Sequence, residues 1–146
     1  MKALIQAVIL IAVSALAALA TQAWHPRAPA LYVTEEPLRE DEMSMQVIRE
    51  RFGEEVLWID ARPQEQYDAE HVPEALLINE QKFDEQVLGN LDRLQLNRNP
   101  VVVYCSAQKC EASRKVMMKL KEMGFVQEAF VLKGGWPAWK AASAGK

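Results

Sequence analysis

The chain has 146 residues, half of them apolar and a quarter charged, with 17 basic against 20 acidic side chains and a formal charge of −3. That size and balance fit one globular domain and exclude a multidomain assembly, a disordered polymer or a collagen-like repeat. So small a negative charge offers no broad electropositive surface for a phosphate backbone, and nucleic acid is not an expected partner.

From Ala3 to Ala20 the sequence carries no charge and only two polar residues, Gln6 and Ser14, behind the flanking Lys2. As a helix rising about 1.5 Å per residue, such a run just matches a hydrocarbon core of about 30 Å, and it equally has the form of a signal peptide's apolar region. Ala18-Leu19-Ala20 and Thr21-Gln22-Ala23 both put small residues where a signal peptidase reads. Residues 1–24 are therefore expected to be a signal peptide or a transmembrane anchor, with the membrane a partner only if the segment stays uncleaved. Either way the remainder is expected outside the cytosol, secreted or tethered to the envelope, which in a Gram-negative host means the periplasm. His25 to Pro37 hold three of the seven prolines, so residues 25–40 read as a linker.

The domain is expected over residues 41–142, with 143–146 as a tail. Met43, Val47, Ile48 and Phe52 have helical spacing and Gly53 follows as a stop. Val56–Asp60, Leu76–Ile78 and Pro100–Tyr104 are short apolar runs of the kind that form buried parallel strands. Between them Phe83, Val87, Leu88, Leu91 and Leu94 make one face of a helix, and Val116, Met117, Leu120 and Met123 make another. A last apolar strand, Ala129–Leu132, leads through Gly134-Gly135 to a short helix from Trp136 to Ala142. This alternation predicts an α/β layer fold with a mainly parallel central sheet flanked by helices, preceded by an apolar amino-terminal helix.

The chemistry-bearing segment is VVVYCSAQKCEASRK, where an apolar strand runs into Cys105 and an amphipathic helix starts about six residues later. In open α/β sheets ligands bind at the carboxyl ends of strands, where loops meet helix amino termini whose free amides attract anions. A thiolate is such an anion, so the amides of Ser106, Ala107, Gln108, Lys109, Cys110 and Glu111, with the Lys109 charge, are expected to lower the Cys105 pKa and to hold a substrate. The plainer reading of Cys105 is a small buried hydrophobe closing a core strand.

Four separated blocks occur in one order: Trp58-Ile59-Asp60-Ala61-Arg62, Glu70-His71-Val72-Pro73, Val103-Tyr104-Cys105, and Leu132-Lys133-Gly134-Gly135-Trp136 with Trp139. Together they resemble the rhodanese family over roughly Met43 to Ala142. The resemblance implies a rhodanese-like fold and a sulfurtransferase in which Cys105 accepts a sulfane sulfur as a persulfide and passes it to a thiol or a cyanide-like acceptor. It implies no cofactor, because the sulfur travels on the protein. Asp60 and Arg62 resemble the family's acidic and basic pair, candidates for tuning the Cys105 pKa. Glu70 stands where the family's Gly-His-Ile-Pro block has Gly, and Glu74 also replaces a usual glycine.

The family's loop commonly reads Cys, two residues, Gly, one residue, Arg; here Gln108 replaces the Gly and Cys110 the Arg. The lost arginine removes a fixed cation for an anionic donor such as thiosulfate, leaving the mobile charge of Lys109. Cys110 could instead act as a redox partner, attacking a Cys105 persulfide or sulfenic acid to close a disulfide. Partners are thus a small sulfur-containing donor and a thiol acceptor, which a protein can also supply.

The alternative is a catalytically silent rhodanese-like binding module, or a redox-sensing domain using the Cys105/Cys110 pair. A related phosphatase loop needs Arg six residues after its cysteine, where this chain has the repelling Glu111. Two cysteines and one domain histidine, His71, have no familiar zinc spacing, so no metal is expected. His71 as a proton carrier competes with a local scaffold role, and Trp58, Trp136 and Trp139 read first as packing.

Overall fold

A computed structural model of the chain describes residues 2–24, 37–106 and 111–144, with the side chains of residues 3 and 18–24 left out. The chain divides into two units, Met1–Pro37 and Leu38–Lys146.

The first unit contains helix α1, Lys2–Trp24. Its large apolar side chains from Leu4 to Leu16 are each more than half exposed. Among the described residues no helix is long and apolar enough to cross a membrane. Residues 18–24 of the expected signal peptide or anchor lie outside the residues with described side chains. The expected linker lies outside the described residues over 25–36.

In the second unit a five-stranded sheet has the order β1-β5-β4-β2-β3, every pair parallel. The strands are β1 Glu42–Met43, β2 Leu57–Asp60, β3 Leu76–Leu77, β4 Val101–Tyr104 and β5 Ala129–Leu132. The helices are α2 Met45–Phe52, α3 Gln64–Ala69, α4 Phe83–Gly89, α5 Leu91–Leu96, α6 Glu111–Glu122 and α7 Gly135–Ser143.

Strand alternation sorts the core into two layers, because successive side chains leave opposite faces. Ile59, Val101, Val103, Ala129 and Val131 pack with Phe83, Val87, Leu94, Val116, Met117 and Leu120 from α4, α5 and α6. On the other face Val102, Tyr104 and Leu132 pack with Ile48 of α2, against which Trp136 and Trp139 of α7 also rest. With helices on both faces, the strands are apolar on both sides, as parallel sheets require.

Three local details depart from the expected elements. Met43 belongs to β1 rather than to the following helix, because Ser44 caps α2 by accepting a hydrogen bond from the Val47 amide at 3.3 Å. The helix expected from Phe83 to Leu94 is two helices: the Asn90 side chain donates to the Gln86 carbonyl at 2.8 Å and breaks the run. Helix α3 gives no apolar signal, having no buried residue.

Candidate active site

The β2/β4 register brings Asp60 level with Tyr104, so Cys105 follows directly at the carboxyl end of β4, beside the end of β2. Cys105 is only 3% exposed and is disulfide-bonded. The sequence has one other cysteine, Cys110, which with Ala107, Gln108 and Lys109 lies outside the described residues. The Cys105 carbonyl accepts a 2.7 Å hydrogen bond from the Trp136 amide. Ser106 is exposed. Glu111 opens α6 with its carboxylate 3.8 Å from Arg39 and 3.6 Å from Arg114.

Asp60 and Arg62 form a buried pair, 0% and 4% exposed. The Arg62 Nε donates to both Asp60 oxygens at 3.0 Å, and Nη2 donates to Oδ2 at 2.6 Å and to the Glu70 carbonyl at 2.7 Å. The Tyr104 hydroxyl donates to Asp60 Oδ2 at 2.7 Å and accepts from the Val72 amide at 3.1 Å. Burial, with the Asp60 carboxylate beside it, pushes the Tyr104 phenol well above its ordinary pKa, so it remains a donor. Burial is the strongest single influence and opposes the Arg62 charge, but the hydrogen bonds to Asp60, the attraction of its carboxylate and the contribution of Tyr104 together hold the guanidinium pKa above its usual value. The two charges largely answer each other. Arg62 also presents a flat face: its Cζ lies 4.3 Å from the Trp136 ring centroid and 5.4 Å from that of Tyr104.

Trp136 in turn stacks on Trp139 with centroids 5.2 Å apart. Lys140 pairs with Glu70 at 2.8 Å, tying α7 to the end of α3. His71 stacks on Tyr67 at 3.9 Å, and its Nδ1 is 2.8 Å from the Tyr67 carbonyl, a local scaffold contact. Trp58 meets Tyr104 edge-on.

Sequence reasoning took Trp136 only as packing and missed its amide as the partner of the Cys105 carbonyl. The available signal was Gly134-Gly135, both at positive φ (79° and 54°), which turn the chain after β5 so that α7 begins at Cys105. A Cβ on Gly134 would stand 2.9 Å from that of Ala138.

A cavity of about 380 Å³ opens elsewhere, at the amino ends of β4 and β5, among residues that include Asn97, Arg98, Asn99 and Glu128. Among the described residues no group of three or more His, Cys, Asp or Glu could hold a metal.

Comparison with known proteins finds a match to the rhodanese-like domain family model over residues 44–142. Among solved structures, the BH2092 protein of Bacillus halodurans is 24% identical, covering 70% of this chain and 72% of that one, with a TM-score of 0.54. A rhodanese-like domain from Anabaena is 23% identical over 71% of this chain and 76% of its own, at 0.53. A thiosulfate sulfurtransferase from Pseudomonas aeruginosa is 22% identical over 80% of this chain but only 21% of its own, at 0.55. No curated protein matches. At these identities the structures speak for the fold; the family model, spanning most of the chain, establishes that this protein belongs to the rhodanese-like domain family.

Proposed function

We propose that the domain is a sulfur carrier whose Cys105 alternates between a disulfide and a persulfide. The observation that carries this reading is Cys105 itself, disulfide-bonded at the carboxyl end of a central parallel strand. A thiol reductant first opens the disulfide, two thiols becoming one external disulfide as the protein gains a dithiol. The Cys105 thiolate then attacks the outer sulfur of a persulfide donor R–S–SH; the new S–S bond forms on Cys105 and R–S⁻ leaves. With thiosulfate the same attack releases sulfite. An acceptor thiolate attacks the outer sulfur and restores the Cys105 thiolate. If the Cys110 thiolate attacks the inner sulfur instead, hydrosulfide leaves and the disulfide closes again. Cys110 in place of the family arginine favours thiol-borne donors over thiosulfate, since a thiol resolves a persulfide but does not hold an oxyanion.

The test is intact mass of the reduced full chain after exposure to an organic persulfide. A gain of about 32 Da, one sulfur atom, absent in Cys105→Ser, supports the carrier. Loss of about 2 Da from the dithiol under a disulfide oxidant, with no sulfur gain from any sulfane donor, overturns it in favour of a redox-sensing pair.

The uncharged, exposed side chains from Leu4 to Ala17 of α1 favour an export or anchoring role, delivering the domain outside the cytosol where disulfides persist. Expressed in a Gram-negative host, the full chain should be found in alkali-washed membranes, or in the periplasm shortened after Ala20 or Ala23. Recovery of the unshortened chain in the cytosol would count against it.

A further inference from the structure

We propose that Trp136 is a positioning residue for Cys105: its indole is clamped on the Arg62 guanidinium, and its amide thereby fixes the Cys105 carbonyl in the geometry that favours the disulfide. The inference rests on Cys105 being the reacting sulfur of the proposed carrier.

The connection runs through contacts of one kind each. Asp60 and the Glu70 carbonyl orient the Arg62 guanidinium, which is almost wholly buried and so has few alternative rotamers. Its face lies over the Trp136 ring, where a desolvated cation–π contact is stronger than at an exposed site. Tyr104 lies on the same ring with centroids 5.9 Å apart. Trp136 sits in the first turn of α7, where amides have no partner within the helix. That amide donates to the Cys105 carbonyl, a single residue beyond β4. The strand end holds the Tyr104 carbonyl through the Ala61 amide and the helix start holds the Cys105 carbonyl, so the peptides on both sides of Cys105 are fixed, and cysteine reactivity depends on how its backbone presents the sulfur. Trp139 shares the stack from further along α7, beyond the residue whose amide meets Cys105, which makes it the internal control.

The experiment equilibrates full-length wild type, Trp136→Phe, Trp136→Ala, Arg62→Lys and Trp139→Phe with reduced and oxidised glutathione at one pH. Alkylation and intact mass then read the dithiol fraction: one protein disulfide and two glutathione thiols give one dithiol and one glutathione disulfide. Losing the order that one hydrogen bond maintains corresponds to about a three- to tenfold shift. Trp136→Ala and Arg62→Lys are expected to shift the equilibrium toward the dithiol by that factor, Trp136→Phe by less, and Trp139→Phe not at all. Should Trp136→Ala or Arg62→Lys fail to fold, Trp136→Phe against Trp139→Phe still decides. Folded Trp136 and Arg62 variants with the wild-type equilibrium, or a Trp139→Phe shift as large as theirs, overturn the proposal. Failure of the carrier reading is separate, because it appears as no sulfur uptake by wild type.

Discussion

Arg62 and Arg114 each hold carboxylate at a strand, Asp60 in β2 for the first and Asp41 and Glu42 at the start of β1 for the second, but in opposite settings. Arg62 is buried against Asp60, Tyr104 and Trp136, whereas Arg114 on α6 reaches Asp41 at 2.6 Å and Glu42 at 3.0 Å with all three side chains partly open to water. Water can replace a lost partner at Arg114; at Arg62 it cannot. A charge pair therefore becomes structurally indispensable through its burial rather than its shortness, and the indispensable one is here the one whose guanidinium lies on Trp136, the partner of the Cys105 carbonyl.

Arg62→Met would test this most severely, since it leaves Asp60 as a buried charge with only Tyr104 and the residue-62 amide as donors. A loss of about 3–5 kcal/mol is expected in urea unfolding, partly recovered by adding Asp60→Asn. An equal loss for Arg114→Met would break the contrast.

Asp41→Asn should cost about 1–2 kcal/mol at pH 7, as loss of a partly exposed, charge-assisted hydrogen bond. The hydrogen bond from Arg114 lowers the Asp41 pKa below 3.8. Its contribution is therefore full above the unfolded-state value and fades as pH falls through the lower folded value. Acid titration of stability below about pH 4 should be shallower in the variant.

The smallest effect has the opposite sign. Glu74 has φ 63°, a left-handed conformation that disfavours a side chain, and its carbonyl accepts from a third arginine, Arg93, at 2.9 Å in an exposed hydrogen bond. Glu74→Gly should stabilise the domain by about 0.5–1 kcal/mol on thermal unfolding. No gain would mean that the Arg93 contact already offsets the strain.

The apolar runs Val56–Asp60, Pro100–Tyr104 and Ala129–Leu132 locate β2, β4 and β5 to within one residue, because strands buried on both faces leave an unbroken apolar signal. β1 left no such trace: it is two residues, and its pairing with β5 is a tertiary event. Within the site, Cys105 at a strand end and the Asp60/Arg62 pairing were legible from their order along the chain. The contact of Trp136 with Cys105 was not, because a backbone amide has no side-chain signature and the partners lie on elements separated by α6 and β5.

Both borders of the sheet are two-residue strands, Glu42–Met43 and Leu76–Leu77. A neighbouring molecule seeking to extend the ladder would find only a stub on either flank, too brief to template a further row. Such a layout blunts fibril-like growth, a useful trait for a polypeptide whose interior strands are otherwise largely apolar and rich in valine.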